Sequence, residues 1–274
     1  MIHRDSFEFE RDQGRTIRGD VLDPDGAETG VIICHGFKGF ARWGFYPHLA
    51  ERIADAGLRA VAFDFSGSGV GNDRESFDHP DLFARNTYTR ELRDIGAVEH
   101  EAARRGWLGD RFGLFGHSRG GGVATLCAAE NDRVGALVTW SAFANVARWR
   151  EDEIELWRRR GYHEVTNSRT GQVLRLSPDI LDEVEVKGAA LNIVAAAGRI
   201  AAPWLIVHGA DDESVSSADA ERLHRASKQS GSELLIIDGA GHTFGATHPQ
   251  DDELPPALDQ ATRATVDFFR KHLS

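Results

Sequence analysis

The stretch that decides the fold reads RFGLFGHSRGGG, from Arg111 to Gly122. The apolar run Arg111 to Phe115 has the length of a buried strand, and the Ala-rich segment Arg119 to Ala129 has the apolar spacing of a helix. Between them, Ser118 stands in the pattern Gly-x-Ser-x-Gly. A strand that turns sharply into a helix holds such a serine in a strained conformation, and nearby glycines relieve the crowding. The pattern therefore predicts a nucleophilic serine at a strand-to-helix turn.

Further apolar runs along the chain have the composition of strands buried on both faces. They are Gly30 to Cys34, Arg59 to Phe63, Arg111 to Phe115, Gly135 to Trp140, Pro203 to Val207 and Glu233 to Ile237. Most alternate with segments of helical periodicity, namely Tyr46 to Ala56, Thr87 to Arg105, Arg119 to Ala129, Ser216 to Ala226 and Pro256 to His272. This alternation predicts an α/β fold with right-handed crossovers and a mostly parallel central sheet flanked by helices.

The start of the chain departs from this alternation. Ser6 to Arg11 and Thr16 to Leu22 alternate in polarity about Gln13-Gly14, which predicts a hairpin that opens the sheet. At 274 residues the chain has a length that α/β folds often reach as one domain. We predict a single domain over residues 1–274.

A second departure lies between Ala142 and Ala202, where the strand-helix rhythm breaks. This segment contains an apparent hairpin around Asn167 to Gly171 and a helix near Pro178 to Glu183. Because it follows a predicted strand, we interpret residues 143–202 as a cap inserted into the domain.

Composition and charge exclude several classes of function. The net charge of −11 argues against a nucleic-acid partner, because phosphate binding needs clustered Lys and Arg. No apolar run approaches the roughly 20 residues that span a bilayer, and the N-terminus lacks a signal-peptide core, so we expect a cytoplasmic protein. Cys34 and Cys127 are expected to be buried small hydrophobes without a disulfide. The sequence leaves a homodimer open.

No cofactor or metal is implied by the sequence. No Cys or His cluster has zinc spacing. The turn Asp64 to Gly69 is rich in glycine, but Gly69-Val70-Gly71 leads into a polar stretch that ends at Pro80 and does not open a helix. It is therefore not a dinucleotide fingerprint. We expect a small-molecule substrate and no cofactor.

Glycine-rich or polar loops follow four of the predicted strands. They are His35 to Gly39, Gly116 to Gly122, His208 to Asp212 and Gly239 to His242. In open α/β sheets, ligands bind beyond the carboxyl ends of the strands. We therefore expect the functional side chains to meet at this edge.

A serine hydroxyl needs a base to remove its proton, and the base needs a carboxylate to hold its tautomer. His242 follows the last strand in a Gly-rich loop, and we predict that it is the base. Asp211, Asp212 and Glu213 are consecutive, so the residues alone leave the acid open. The other histidines at these strand ends are expected to pack or to hydrogen-bond inside the fold: His35, His117 and His208.

The loop over residues 208–215 matches the pattern H-G-x-x-D-x-x-V, with Asp212 at its acidic position. This pattern resembles the α/β-hydrolase superfamily, as do the turn Asp64 to Gly69 and the chain order serine, acid, histidine. The resemblance extends from about Thr29 to the end of the chain. It implies an α/β-hydrolase fold with a small cap and Asp212 as the acid, with Asp211 as its competitor.

The superfamily resemblance also implies two backbone donors for an oxyanion, the amides of Phe37 and Arg119. Within the superfamily the chain most resembles compact bacterial carboxylesterases and the related cinnamoyl or feruloyl esterases. His35-Gly36 does not continue into the H-G-G-G form, which makes esters of bulky tertiary alcohols poor candidates. The implied activity is hydrolysis of small to medium carboxylic esters, with aromatic acyl esters among the candidates, through an acyl-enzyme.

Aromatic side chains in the cap and near the oxyanion loop are candidates for the pocket wall, although each could equally belong to the core. They are Phe40, Trp43, Trp149, Trp157 and Tyr162, followed by Phe45 and Leu174.

Other activities remain as alternatives to ester hydrolysis. The same triad would serve a thioesterase, an acyltransferase or a serine peptidase, because a triad does not name its substrate. The chain length argues against a prolyl-peptidase arrangement, which usually adds a large extra domain. A binding module without catalysis is disfavoured by the intact Ser118, Asp212 and His242.

Overall fold

The computed structural model describes residues 1–11, 14–167, 171–227, 232–251 and 253–273. The strands are β1 (Ile2–Glu10), β2 (Thr16–Pro24), β3 (Gly30–Cys34), β4 (Arg59–Asp64), β5 (Phe112–His117), β6 (Val134–Trp140), β7 (His163–Thr166), β8 (Val173–Leu176), β9 (Trp204–Gly209) and β10 (Glu233–Ile237). The helices are α1 (Phe45–Asp55), α2 (Pro80–Ala84), α3 (Tyr88–Arg104), α4 (Arg119–Ala128), α5 (Glu151–Arg160), α6 (Asp179–Lys187), α7 (Ile193–Ala197), α8 (Ser217–Ala226) and α9 (Pro256–Leu273).

Eight strands form the central sheet in the order β1-β2-β4-β3-β5-β6-β9-β10. Strands β1 and β2 pair antiparallel, and β2 joins β4 antiparallel, whereas every pairing from β4 to β10 is parallel. The predicted mostly parallel α/β sheet, opened by a hairpin, is confirmed. Gln13 of the predicted turn lies outside the described residues.

Apolar side chains cover both faces of the sheet and form two cores. Helices α1 and α9 pack on one face, through residues such as Leu49 and Phe269. Helices α3, α4 and α8 cover the other face, through residues such as Ile95, Val123 and Leu223. Every residue of β3, β5, β6 and β9 is buried, and burial on both faces explains why these strands are mostly apolar.

The last strand corrects one expectation. Glu233 to Ile237 was predicted to be buried on both faces, but Glu233 is exposed and only Ile237 is fully buried. The reason is position, because β10 is the outermost strand of the sheet and pairs only with β9. Leu234 and Leu235 nevertheless pack against the two cores on opposite faces.

The segment after β6 contains α5, the hairpin β7–β8, α6 and α7 before the chain returns to the sheet at β9. The predicted hairpin is present, since β7 and β8 pair antiparallel, although residues 168–170 of its turn lie outside the described residues. The predicted helix near Pro178 is also present as α6. The cap comprising residues 143–202 remains an interpretation of this segment.

Helix α5 was missed by the sequence analysis because it has little apolar periodicity, with only Trp157 fully buried. Its two ends nevertheless carry the residues that are typical of helix termini. Three acidic residues occupy its first turn, three arginines its last turn, and Gly161 ends it in the left-handed conformation at φ 75°. The short helices α2 and α7 were missed as well.

The two cysteines are free thiols, as expected. Cys34 is fully buried, and burial raises its pKa well above the ordinary range. Cys127 is only partly buried, so the expectation of a buried side chain is wrong there.

Candidate active site

Ser118 sits at the turn between β5 and α4 with φ 53° and ψ −118°, a conformation that L-residues rarely adopt. The positions around it require glycine because there is no room for a side chain. A methyl group on Gly116 would lie 2.4 Å from the carbonyl oxygen of Gly120, and one on Gly120 would lie 2.3 Å from that of His35. The predicted strand-to-helix turn is therefore present. As predicted, glycines stand at the positions beside Ser118 where a side chain would clash with the backbone.

Ser118, His242 and Asp212 are brought together by three different loops. The Nε2 atom of His242 lies 3.0 Å from Ser118 Oγ, and its Nδ1 atom lies 2.8 Å from Asp212 Oδ2. Because a carboxylate only accepts, Nδ1 carries the proton and Nε2 is left to accept from the serine hydroxyl. Asp211 is exposed, and its backbone amide bonds the carbonyl of Ala240. Asp212, and not Asp211, stands where the base needs a carboxylate.

The Asp212 carboxylate has several donors besides His242. Its Oδ1 accepts from the amides of Ser214, at 2.8 Å, and Val215, at 2.9 Å, and His208 Nε2 lies 3.3 Å from its Oδ2. Burial opposes ionisation of this group, but its hydrogen bonds from His208, His242 and Val215 outweigh burial and lower its pKa. Asp212 is therefore held as an anion beside the imidazole.

His117, next to Ser118, links the loop of Phe37 to the loop of His242. The Gly36 amide donates to the Tyr46 hydroxyl at 2.9 Å, and that hydroxyl lies 3.3 Å from His117 Nδ1. His117 Nε2 donates to the carbonyl oxygen of His242 at 3.0 Å. Burial and the neighbouring His242 lower the pKa of His117 to about 3. His117 is thus neutral, and it hydrogen-bonds inside the fold, as expected.

The loop after β3 lies directly over Ser118, since a methyl group on Gly36 would be 3.1 Å from the serine Cβ. Within the described part of the chain, neither the amide of Phe37 nor that of Arg119 donates to an internal acceptor. Two backbone donors close to the nucleophile are what an oxyanion requires. Their assignment to that role stays a prediction.

The Arg119 side chain is buried and forms an ion pair that the sequence did not suggest. Its Nε lies 2.9 Å from Glu91, with both side chains about 5% exposed. Asn86 donates to the same carboxylate at 2.7 Å, and the guanidinium stacks on the Tyr88 ring at 4.4 Å. Burial raises the pKa of Glu91, while Arg119 opposes that rise. The side chain of Arg119, which follows Ser118, is therefore fixed by α3.

A cavity of about 620 Å³ opens beside Ser118. The aromatic side chains that line it are Phe37, Trp43, Tyr46, Tyr88, Phe143 and Trp149. Trp43 and Trp149 were among the predicted wall residues. Phe45 and Leu174, which were also candidates, are buried in the core and do not line the cavity.

Three further predicted wall residues do not line the cavity either. Phe40 is 1% exposed and packs in the core. Trp157 is equally buried and donates its Nε1 hydrogen to the carbonyl of Leu176 at 3.0 Å. The ring of Tyr162 stacks with the guanidinium of Arg175 at 4.3 Å. These three aromatic side chains contact other parts of the protein, and the expectation that they line this cavity is wrong.

Residues 43–273 match the prolyl oligopeptidase family. The chain belongs to this family. The match covers most of the central sheet and all of the residues gathered at Ser118 except the loop of Phe37.

Curated relatives match parts of this family member. An uncharacterized 31.7 kDa protein of the traX-finO intergenic region of Escherichia coli is 31% identical over 116 residues, which are 42% of this chain and 37% of that protein. The 2,6-dihydropseudooxynicotine hydrolase of Paenarthrobacter nicotinovorans is 26% identical over 195 residues, 70% of this chain and 47% of the hydrolase. The chain thus spans less than half the length of each.

The fold has solved counterparts. The structure of Est1E from Butyrivibrio proteoclasticus with bound ferulic acid matches with a TM-score of 0.70 and 22% identity, covering 95% of this chain and 97% of that one. At this identity the likeness shows the fold alone. The family member is an α/β-hydrolase in architecture, as the superfamily resemblance implied.

No group of three or more His, Cys, Asp or Glu side chains among the described residues could hold a metal ion. None of the helices described is both long and apolar enough to cross a membrane.

Proposed function

We propose that the protein is a serine esterase that hydrolyses small to medium carboxylic esters through an acyl-enzyme on Ser118. The observation that carries the proposal is the continuous line of contacts from Asp212 through His242 to the Ser118 hydroxyl, at 2.8 and 3.0 Å, on the wall of the cavity. Nucleophile, base and orienting carboxylate are then within hydrogen-bond reach of one another.

In the acylation step, Ser118 Oγ attacks the ester carbonyl while His242 Nε2 takes the hydroxyl proton. The carbonyl oxygen becomes an oxyanion that the amides of Phe37 and Arg119 stabilise. Asp212 balances the positive charge that forms on His242. When the C–O bond of the ester breaks, His242 returns the proton to the leaving alcohol, and the acyl group stays on Ser118.

In the deacylation step, water takes the place of the alcohol. His242 Nε2 accepts a proton from this water, whose oxygen attacks the acyl carbon. Collapse of the second tetrahedral intermediate breaks the bond to Ser118, and His242 returns the proton to Oγ. The carboxylic acid leaves, and the site is restored without a cofactor.

An aromatic acyl group would suit the cavity, which is lined by six aromatic side chains. The solved counterpart Est1E binds ferulic acid, an aromatic acid, which supports the same class of substrate here. Stacking and apolar contacts would hold such a ring while the ester lies against Ser118.

A peptidase is the second candidate, favoured by the family match. An aminopeptidase binds the protonated amino group of its substrate and needs an acidic side chain for it. None of the described residues that line the cavity is Asp or Glu. Charge therefore favours an ester substrate over a peptide with a free amino terminus.

The test combines labelling with a substrate panel. A fluorophosphonate should label the wild-type protein at Ser118 and leave Ser118→Ala unlabelled, as peptide mass mapping would show. The panel compares 4-nitrophenyl esters, acyl-CoA thioesters and prolyl 4-nitroanilides by kcat/KM. We expect ester turnover to exceed the other two and to be lost in Ser118→Ala.

Two outcomes would contradict the proposal. Labelling or ester hydrolysis that persists in Ser118→Ala would show that Ser118 is not the nucleophile. Faster turnover of the thioester or the anilide would retain the site but assign it to a thioesterase or a peptidase.

A further inference from the structure

The two amides proposed to stabilise the oxyanion both adjoin strained backbone. Phe37 precedes Lys38, which has φ 56°, and Arg119 follows Ser118, which has φ 53°. Residues other than glycine rarely adopt this left-handed region, and such a conformation persists only where the surrounding structure holds it. Contacts from outside the two loops are therefore needed to keep the amides in place.

The side chains of Phe37 and Arg119 contact each other across the two loops. The central carbon of the guanidinium lies 5.6 Å from the centroid of the Phe37 ring. A cation within about 6 Å of a ring centroid is attracted to the ring, and the attraction is stronger where water is excluded. The Arg119 side chain is only 6% exposed. This contact joins the loop after β3 to the first residue of α4.

A single stretch of the chain, residues 83–91, packs against both of these side chains, and we call it the bracing segment. The rings of Phe83 and Phe37 pack with their centroids 5.3 Å apart. The Tyr88 ring lies 4.4 Å from the Arg119 guanidinium, closer than the Phe37 ring does. The bracing segment therefore limits the movement of both residues that carry the proposed oxyanion donors.

Glu91 fixes the guanidinium within this arrangement. Its carboxylate lies 2.9 Å from Arg119 Nε, and its side chain is 5% exposed. The Asn86 side chain donates to the same carboxylate at 2.7 Å, while the Asn86 backbone amide donates to the carbonyl oxygen of Phe83 at 3.2 Å. Glu91 is not among the described residues that line the cavity, so any effect it has on the reaction passes through Arg119.

We propose that Glu91 and the side chains of Arg119 and Phe37 are positioning groups that hold the two oxyanion amides in register. The inference rests on the proposed esterase function and concerns the transition state of its reaction. Glu91 fixes the guanidinium, the guanidinium fixes the Phe37 ring, and the ring fixes the loop that carries the Phe37 amide. Because the amides meet a full negative charge only after attack on the carbonyl, these contacts favour the transition state over the bound substrate.

The test compares two ketones that differ in their ability to form an oxyanion, 1,1,1-trifluoro-4-phenylbutan-2-one and 4-phenylbutan-2-one. Ser118 Oγ adds to the carbonyl carbon of the fluorinated ketone, the hydroxyl proton passes to His242, and the carbonyl oxygen becomes an alkoxide that faces the two amides. The methyl ketone is much less electrophilic and binds through its phenyl and alkyl groups. Calorimetry gives both dissociation constants. Their ratio, methyl over fluorinated, measures the stabilisation of the adduct, because contacts to the rest of the ligand cancel.

The ratio is measured for the wild type and for four variants. Phe37→Leu keeps the amide and an apolar side chain but removes the ring, and Glu91→Gln keeps an acceptor oxygen but removes the charge. We expect the ratio to fall about tenfold in each, less than the roughly 10²- to 10³-fold effect of losing a whole oxyanion donor. Phe37→Tyr retains the ring and should keep most of the ratio. Phe9→Leu replaces a half-buried phenylalanine that does not line the cavity and should keep the wild-type ratio.

Steady-state kinetics provide a second measurement. In Glu91→Gln, kcat for 4-nitrophenyl ester hydrolysis should fall about tenfold with KM within about twofold, because Glu91 does not line the cavity. Circular dichroism and urea unfolding show whether each variant is folded under the assay conditions. If Glu91→Gln does not fold, the half-buried Phe37 still provides the test through the ketone ratio. A loss confined to KM, with an unchanged ketone ratio, would overturn the positioning role.

The ketone ratio also separates this inference from the proposed function. A preference for the fluorinated ketone that falls in Phe37→Leu and Glu91→Gln supports the inference even if the wild type turns over thioesters or anilides faster than esters. Wild-type ratios in both variants overturn it even if esters are the fastest substrates. A wild type that binds the two ketones equally also overturns it, since there is then no oxyanion site to position.

Discussion

His117 Nε2 donates a hydrogen bond of 3.0 Å to the carbonyl oxygen of His242, so the residue before the proposed nucleophile holds the backbone of the proposed base. The same imidazole is joined through Tyr46 to the Gly36 amide in the loop over Ser118. One neutral side chain thus connects the two loops that must stay in register for proton transfer.

Replacing His117 should slow turnover more than it weakens substrate binding. In His117→Phe the ring remains but both hydrogen bonds are lost, which frees the loop of His242. We expect kcat to fall about 10- to 100-fold with KM within about twofold, because small misplacements of a catalytic group are costly. His117→Gln, whose amide donates and accepts, should retain more of kcat. An unchanged kcat in His117→Phe would contradict the positioning role.

The low pKa of His117, about 3, predicts the pH dependence of stability. An unfolded histidine titrates near 6.5, so between about pH 6.5 and 3 the unfolded chain binds a proton that the folded protein does not. This group therefore lowers the free energy of unfolding as the pH falls, by up to about 1.4 kcal/mol per pH unit. Urea unfolding of His117→Gln between pH 4.5 and 7.5 should show a shallower slope than the wild type. His100→Gln, at an exposed position, is the matched control and should keep the wild-type slope.

Asp212 and Asp211 form a matched pair of neighbours. Only Asp212 contacts His242, at 2.8 Å, whereas Asp211 is exposed. Asp212→Asn should reduce kcat about 10³- to 10⁴-fold, because an amide no longer fixes the required tautomer. Asp211→Asn should change kcat less than about threefold. Equal losses of kcat in the two variants would contradict the role of Asp212 in the proposed triad.

Substitution by alanine at two glycines should change the free energy of unfolding in opposite directions. In Gly120→Ala the new methyl would lie 2.3 Å from the carbonyl oxygen of His35, and relieving this overlap should cost about 1–3 kcal/mol. Gly96 lies in α3 with open space around its Cβ position, so Gly96→Ala should stabilise by about 0.5–1 kcal/mol. Urea unfolding measures both. A neutral Gly120→Ala would show that the turn can relax without cost.

The buried pair of Glu91 and Arg119 should be sensitive to the loss of one partner. Glu91→Ala leaves a guanidinium buried without its carboxylate and should lower the free energy of unfolding by about 3–5 kcal/mol. The double variant Glu91→Leu/Arg119→Met removes both charges and should recover most of that loss. Glu130→Ala breaks the exposed pair with Arg199 and should cost no more than about 1 kcal/mol. A similar cost in both single variants would contradict the argument from burial.

The strand ends could be predicted from sequence because they depend on local patterns. Apolar runs predicted β5, β9 and β10, and the loops that follow these strands carry Ser118, Asp212 and His242 at one edge of the sheet. The packing of side chains over long separations could not be predicted in this way. Glu91 and Arg119 are 28 positions apart in the chain, and Tyr46 and His117 are 71 positions apart, so each pair meets only when helices pack on the sheet.

The pocket shows the same limit. Trp43 and Trp149 face the cavity while Phe40 and Trp157 face the core, although all four are aromatic and lie in the two segments from which a wall was expected. Which way an aromatic ring turns depends on its neighbours in space. Arg148 also lines the cavity and was not predicted to do so. An arginine in a charged segment resembles an ordinary surface residue until its stacking on Phe143 is known.

The separation of Ser118, Asp212 and His242 along the chain has a consequence during protein synthesis. The serine leaves the ribosome first, while the aspartate and histidine lie in the loops after β9 and β10 and emerge more than 90 residues later. A partly translated chain therefore has an unactivated hydroxyl at its glycine turn. Hydrolytic competence appears only when the last strands have joined the sheet, so phosphonate labelling of ribosome-bound chains would report on late folding.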